Sequence, residues 1–313
     1  MDSNRNQIFL SVCKRATSFM DLKNFSNQEY ELKEDIPRFV PSESFASSFG
    51  LQWNTFRKVQ LDSYTNTNMS EDRVRTAMPM PLESIKGLRI LEAGSGAGRF
   101  TEILLKYGAI VYSFDLSDAV MANYANNMPH KNLTIFQADI ENIPFKDNFF
   151  DISLCLGVMQ HTRNFTSSLN EISRVTKANG LISFDHYQTH VGHYTSLYLV
   201  YWFIIKQLPK NFQLKVTNFL TSIFFPIHWI FRKYSLVQYL LRRISPISFY
   251  YGMFDLNKDQ HYELSKLDTH DKNTDHYKRM VTAKKLNKMV RRFKFKKFTI
   301  FQGGTGLQCI VTK

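Results

Sequence analysis

The stretch Glu92-Ala-Gly-Ser-Gly-Ala-Gly98 carries the residue types that most directly invite a ligand. Glycines at 94, 96 and 98 let backbone N–H groups approach a bound molecule and permit positive φ. The turn falls between a short apolar run and a helical pattern, so it joins a strand to a helix. Three acids close successive predicted strands: Glu92, Asp115 and Asp139. Glu92 would repel a pyrophosphate but attract an ammonium group. Asp115 lies 21 residues past Gly94, placed to accept hydrogen bonds from ribose hydroxyls. Asp139 could meet the amino group of an adenine. His161 follows the fourth predicted strand, and His186 and Tyr187 follow the fifth. Histidine titrates near neutrality, which suits removal of a proton from an acceptor hydroxyl. For His161 the alternative role is ordering its own loop. His190 and His193 are further candidates with less reason. The His and Asp residues between 268 and 277 could border an acceptor site or form a solvated loop, and they lack metal-ligand spacing.

Those residues need a scaffold, and the pattern from 88 to 187 supplies one. Strands are predicted at 88–93, 110–114, 133–137, 149–158 and 181–184. Helices are predicted at 98–107, at 118–127 with Ser117 as cap, and at 166–177 ending on Asn179-Gly180. The first helix carries Phe100, Ile103, Leu104 and Tyr107 on one face. Such alternation implies a doubly wound parallel sheet of the α/β class. A helix-period pattern returns at 282–293. Two β runs, 295–301 and 307–311, then flank Gly303-Gly-Thr-Gly306 and read as a hairpin.

A dinucleotide fingerprint would need glycine at 99, where this chain has Arg99. With that departure and the three acids, the pocket suits a cationic ligand, S-adenosyl-L-methionine (SAM), better than a nicotinamide dinucleotide. Here the chain resembles the class I SAM-dependent methyltransferases, in the bacterial group related to ubiquinone-biosynthesis methyltransferases (the type 11 group). The resemblance rests on Leu91-Glu-Ala-Gly-Ser-Gly-Ala-Gly98, Phe114-Asp-Leu-Ser117, Gln137-Ala-Asp139 and Phe150-Asp-Ile-Ser-Leu-Cys-Leu-Gly-Val-Met-Gln-His161. Glu171-Ile-Ser-Arg-Val-Thr-Lys-Ala-Asn-Gly180 looks like the family's helix leading into strand five. It implies a Rossmann-like seven-stranded sheet, five strands parallel and a terminal antiparallel hairpin, with a helical cap inserted between strands five and six. It further implies that Glu92, Gly94, Ser95, Gly96 and Gly98 line the methionine end of the cofactor. Asp115 with Leu116 would hold the ribose, and Asp139 with Ile140 would flank adenine beside Leu156. The catalytic candidates are His186 and His161. No metal is expected.

Composition narrows the partners. With 43% hydrophobic residues in 313, the chain can bury a sizeable core, which excludes a disordered tail or a disulfide-stapled miniprotein. The formal net charge is +13, which alone points to an anionic partner. Divided along the chain, it changes meaning. Residues 1–185 come to −2, while 186–254 hold seven basic residues and no acid, and 272–313 come to +11. The sequence after strand four, Leu156-Gly-Val-Met, lacks the Asn/Asp-Pro-Pro-aromatic pattern that holds a flipped base in nucleic-acid amino methyltransferases. Three widely spaced cysteines without a CxxC, and a leader containing Asp2, predict reduced thiols, no signal peptide and a cytoplasmic protein.

The expected organisation has four parts. Residues 1–48 resemble the tail of a degenerate zinc ribbon in which only Cys13 remains. Residues 49–189 form the SAM-binding core, in which Trp53 and Phe56 either cover the cofactor or pack as plain core. Residues 190–265 form an aromatic, basic helical cap, and 266–313 return to the core. The cap suits an anionic membrane surface, a buried lid over the pocket, or both, so a peripheral position at the inner face of the membrane is open. The expected activity is O-methylation of a small-molecule, glycan or lipid-linked acceptor. The alternatives are a basic nucleic-acid-binding or RNA-modifying protein on the same fold, and a non-catalytic membrane-associated SAM-binding protein.

Overall fold

A computed structural model describes residues 28–40, 47–189 and 196–313 of the chain. A hairpin, β1 (Glu31–Lys33) and β2 (Ile36–Arg38), comes first, followed by helices α1 (Ser47–Thr55), α2 (Asp62–Thr65) and α3 (Met69–Ala77). The α/β rhythm then runs β3 (Arg89–Ala93), α4 (Arg99–Lys106), β4 (Ile110–Asp115), α5 (Ala119–Asn127), β5 (Leu133–Gln137), β6 (Phe150–Cys155), α6 (Phe165–Val175) and β7 (Thr176–His186). Four helices follow: α7 (Tyr198–Ile205), α8 (Lys210–Ile230), α9 (Ser235–Ile244) and α10 (Lys258–Thr274). The chain closes with α11 (Ala283–Val290), β8 (Lys297–Gln302) and β9 (Leu307–Thr312).

One sheet joins the strands in the order β1-β2-β5-β4-β3-β6-β7-β9-β8. From β5 to β7 all neighbours are parallel, and β9 and β8 add antiparallel at one edge. The seven-stranded arrangement expected from the sequence is thus present, but among the described residues the sheet has nine strands. The two extra ones come from the segment read as a zinc-ribbon tail. Ile36 is fully buried, and Arg38 pairs with Gln137 in β5 by a single parallel register position. Its guanidinium is held by Asp118 at 2.5 Å and by Gln137 Oε1 at 2.6 Å. Three residues per strand were too few to show a period. Cys13, His190 and His193 lie outside the described residues.

Both faces of the sheet are covered, so successive strand residues enter different cores. Ile90, Val111, Ile135 and Ile152 pack with Phe100, Ile103 and Leu104 on one face. Leu91, Tyr112 and Phe136 pack with Phe165, Leu169 and Ile172 on the other. Two boundaries differ from expectation. The helix predicted to run to Asn179-Gly180 ends at Val175, and Thr176 enters the strand directly. Asn179 takes φ 61° there, and the β6–β7 register shifts between Phe150 and Ile152. The turn-forming pair therefore marks an irregularity inside a strand rather than the end of a helix. In the cap, the apolar run interrupted by Pro226 belongs to one 21-residue helix. That proline has Ser222 four residues before it, and α8 continues through it to Ile230.

Candidate functional site

All five parallel strands β3–β7 end on one edge, where open α/β sheets take their ligands. A cavity of about 700 Å³ opens there beneath α1, α3 and α10. Gly94, Ser95 and Gly96 form one wall, Asp115 and Leu116 the next, then Asp139 and Ile140, and Leu156. These eight sequence-predicted residues are brought together. Glu92, Gly98 and His186 do not line the cavity.

The loop after β3 is held by its neighbours. Gly94 and Ser95 donate backbone N–H bonds to the Phe114 carbonyl at 2.8 and 2.9 Å, and the Gly96 N–H donates to Asp115 Oδ2 at 3.1 Å. Three asparagines of α5 grip the loop from behind: Asn126 Nδ2 donates to the Ala97 carbonyl (2.9 Å) and Asn127 Nδ2 to that of Gly98 (3.0 Å). Asn123 fills the space beside Gly98, where an added Cβ would lie 2.1 Å from its Oδ1. Gly98 is thus a packing requirement behind the cavity wall. At Gly96 the neighbour is Trp53, whose indole would stand 2.9 Å from an added Cβ. Trp53 covers the loop and lines the cavity, whereas Phe56 packs with Val59, Leu264 and Leu267 in a core.

Glu92, expected at the methionine end, does not line the cavity. Its side chain is 2% exposed and points into a polar knot below the loop. Ser113 Oγ donates to Glu92 Oε2 at 2.8 Å, Thr101 Oγ1 donates to the same oxygen, and Asn123 Nδ2 reaches Ser113 Oγ at 2.8 Å. Burial pushes the Glu92 carboxyl up to about 7, and the two hydroxyl donors only partly offset it. Asp115 is placed as expected. Its Oδ1 accepts from the Ser117 N–H (2.8 Å) and hydroxyl (2.7 Å), and burial in the cavity raises its pKa against those bonds. Asp139 Oδ1 accepts from the Glu141 N–H at 2.9 Å, and its Oδ2 accepts from Arg163.

The two histidines part company. β7 alternates at its end, so Asp185 and Tyr187 face the cavity side while His186 turns to α6. His186 is 1% exposed, its ring 6.0 Å from that of Phe165 and its Nδ1 3.2 Å from the Tyr187 carbonyl. Burial lowers its pKa. His161 does line the cavity, its ring edge-on to Phe49 and Tyr187 at 5.3 and 5.4 Å. His161 Nδ1 is 2.9 Å from the Tyr277 carbonyl and 3.8 Å from the fully buried Asp275 carboxylate. A carbonyl only accepts, so Nδ1 carries the proton and Nε2 is the acceptor nitrogen.

Some site residues escaped the sequence reading. Asp185, 1% exposed, accepts from the Gly157 N–H and the Thr305 hydroxyl, each at 2.6 Å, and pairs with Arg73. It thereby ties the loop after β6, the β8–β9 turn and α3 into one rim. Its signal was its parity with Tyr187. Arg99, noted only for breaking a fingerprint, lines the cavity, and burial with Arg73 nearby pushes it down to about 9. The far end of the cavity is built by α10 and the segment after it, through Asp268, Asp271, Lys272 and Lys278. Burial, then the like charge of Asp271, pushes Asp268 up to about 7. No cluster of metal-holding side chains occurs among the described residues.

Comparison with known proteins matches residues 91–184 to a family described as a methyltransferase domain. A malonyl-[acyl-carrier protein] O-methyltransferase of Pectobacterium atrosepticum is 34% identical over 105 residues, which is 34% of this chain and 40% of that protein. A ubiquinone biosynthesis O-methyltransferase of Coxiella burnetii is 26% identical over 130 residues, 41% of this chain and 56% of that protein. The chain thus spans about half the length of these curated relatives. A solved SAM-dependent methyltransferase of Aquifex aeolicus superposes with a TM-score of 0.36 at 20% identity, covering 44% of this chain and 74% of that one. Residues 91–184 thus match a methyltransferase domain, and the cofactor that such a match implies is SAM. The cavity fits that group. Ser95 Oγ and Gln52 Oε1 are buried polar atoms in its wall with no protein partner, and any side chain at Gly96 would meet the indole of Trp53.

Proposed function

We propose that this chain is a SAM-dependent O-methyltransferase whose base is His161 and whose acceptor is a hydroxyl-bearing small molecule, glycan or lipid-linked compound. The carrying observation is the continuous wall from Gly94–Gly96 through Asp115 to Asp139, with His161 on the same cavity. Bound SAM supplies a methyl group already activated on a sulfonium, so the protein's share is alignment, exclusion of water and proton removal.

Each residue then has a task. Asp115 accepts from the ribose hydroxyls with the lone pairs that Ser117 and Gly96 leave open. Trp53 closes the loop from above. His161 takes the acceptor proton on Nε2, its tautomer set by the Tyr277 carbonyl. His186 loses the base role on this reading, because it is sealed against Phe165. Arg73, locked by Asp185, and Arg99 place positive charge at the rim, where an anionic group of the acceptor would be met.

Label transfer tests the proposal. The protein is incubated with methyl-labelled SAM and separated lipid, glycan, small-molecule and RNA extracts. Base-stable, ether-linked label in a lipid, glycan or small-molecule fraction supports it, whereas base-labile methyl ester overturns the hydroxyl acceptor. Label confined to RNA, or in no fraction, overturns it.

A further inference from the structure

Helix α8 is built inside out. Phe212, Phe219, Ile223 and Ile230 fall on one side at the helical repeat and are 51%, 63%, 45% and 66% exposed. The buried side carries Gln213, Thr217, Thr221 and His228 beside Phe225. Helix α9 repeats the pattern, with Leu236, Tyr239, Leu240 and Ile244 outside and Gln238 inside. In α7, Val200, Phe203 and Ile204 face out while Tyr198 and Ile205 are buried.

The orientation is held by polar contacts on the inner side. His228 Nδ1 lies 2.8 Å from Gln238 Oε1, and Gln238 Nε2 donates to the His228 carbonyl at 2.9 Å. Thr217 Oγ1 is 3.2 Å from His270 Nδ1, which fixes α8 on α10. Tyr198 donates to the Lys272 carbonyl and Trp202 Nε1 to Asp275, which fix α7 on the end of α10. The apolar faces of α7 and α8 therefore point away from the body. A polar interior under an apolar exterior is the reverse of a water-facing helix.

We propose that the outward face of α7–α9 docks on an anionic lipid bilayer. Charge selects this occupant. Residues 186–254 hold Lys206, Lys210, Lys215, Arg232, Lys233, Arg242 and Arg243 and no acid. A second copy, meeting this face in a two-fold contact, would set like charge against like. An anionic bilayer offers headgroups to the cations and acyl chains to the aliphatic and aromatic side chains. The cations lie along aromatic rings, as at a membrane interface: Lys206 Nζ is 3.5 Å from the Trp202 ring centre and the Arg232 guanidinium 4.7 Å from that of Trp229. Among the described residues no helix is long and apolar enough to cross a membrane, so the contact is lateral. Met253, 62% exposed, also lines the cavity, so the cavity wall reaches an apolar part of the outer surface. Delivery of a lipid-linked acceptor by this route rests on the methyltransferase reading; the docking itself does not.

The test is flotation of the full chain with vesicles of phosphatidylcholine alone or mixed equally with phosphatidylglycerol. The wild type should float with the anionic vesicles and stay behind with the neutral ones. Phe219→Ser/Ile230→Ser/Leu236→Ser should weaken that binding by about tenfold or more, because it removes only outward apolar area. Lys215→Glu/Lys233→Glu should weaken it too and reduce its salt dependence. Calorimetric SAM binding, measured on the same preparations, should be unchanged in both variants and shows that each is folded. Absence of wild-type binding to anionic vesicles overturns the proposal, as does undiminished binding by the apolar variant. So does a wild-type dimer that the apolar variant abolishes. Loss of SAM binding in the wild type alone would instead strike the methyltransferase reading.

Discussion

Helices α4 and α8 obey opposite rules in one chain. α4 buries Phe100, Ile103 and Leu104 against the sheet and leaves Lys106 to water. α8 buries Gln213, Thr217, Thr221 and His228 and gives Phe212, Phe219, Ile223 and Ile230 to its surroundings. Folding in water explains the first arrangement. The second fits the lipid docking proposed above. The sheet part carries a cavity at its strand ends; the insert carries an apolar exterior whose sequence from 186 to 254 holds basic residues and no acid. One region is shaped by what it encloses, the other by what it rests on.

Four changes would sharpen or break that contrast. The largest effect is expected at the cavity. His161→Ala should lower turnover by about 10²–10⁴-fold while SAM affinity stays within about threefold, since general-base loss has that size. Turnover unaffected by the change would return His161 to loop ordering. His186→Ala, by contrast, should leave the pH profile of turnover in place.

Next come paired core substitutions. Leu104→Ala should cost about 2–5 kcal/mol in urea unfolding, as fully buried leucines do. Phe219→Ser, for all its lost apolar area, should stay within about 0.5 kcal/mol in the absence of lipid. Equal costs would mean that the exposed stripe of α8 is packed in solution, and the contrast would fail.

The third concerns pH. The folded Glu92 carboxyl sits at about 7 against a usual 4.5, so the folded state holds its proton more tightly than the unfolded chain. Its favourable contribution is therefore complete below about 4.5 and is lost as pH rises through about 7. Glu92→Gln should flatten the fall in stability over that window, a difference from wild type approaching about 3 kcal/mol at the alkaline end. Parallel stability curves for the two proteins would show that Glu92 is not buried as described.

The smallest effect is expected at the rim. Thr305→Val removes one of the two donors reaching Asp185 at 2.6 Å but leaves Arg73 and the Gly157 N–H. A loss near 1 kcal/mol is expected in thermal unfolding, about one hydrogen bond's net worth. A loss several times larger would make Asp185 dependent on that hydroxyl.

The sheet was legible because its strands are continuous in apolar residues and its helices keep a 3.6 period. β5, expected at 133–137, spans Leu133–Gln137. The β1–β2 hairpin was not legible, since three residues give no alternation and its hold on the sheet is the long-range pairing of Arg38 with Asp118 and Gln137. In the cavity, Asp115 and Asp139 could be found because strand ends point to one edge. His186 lies away from the cavity because adjacency to Tyr187 in sequence means opposite faces in a strand. Glu92 lies below the loop because a strand-end acid can turn into the layer below, and the hydroxyls that receive it, Thr101 and Ser113, come from α4 and β4. The polarity of the insert could be counted from composition, but its inversion could not. Only the placement of α7 and α8 on α10 shows which face looks out.

The central claim is that the cavity at the edge of the sheet holds SAM and that Asp115 grips it. Titration calorimetry of SAM into the wild type and Asp115→Ala tests this directly, with matched circular dichroism to show that both are folded. Saturable single-site binding by the wild type, weakened by about a hundredfold or more in Asp115→Ala through loss of a charge-assisted ribose contact, is the predicted result. A folded wild type that takes up no SAM, or a variant that binds it equally well, would contradict it.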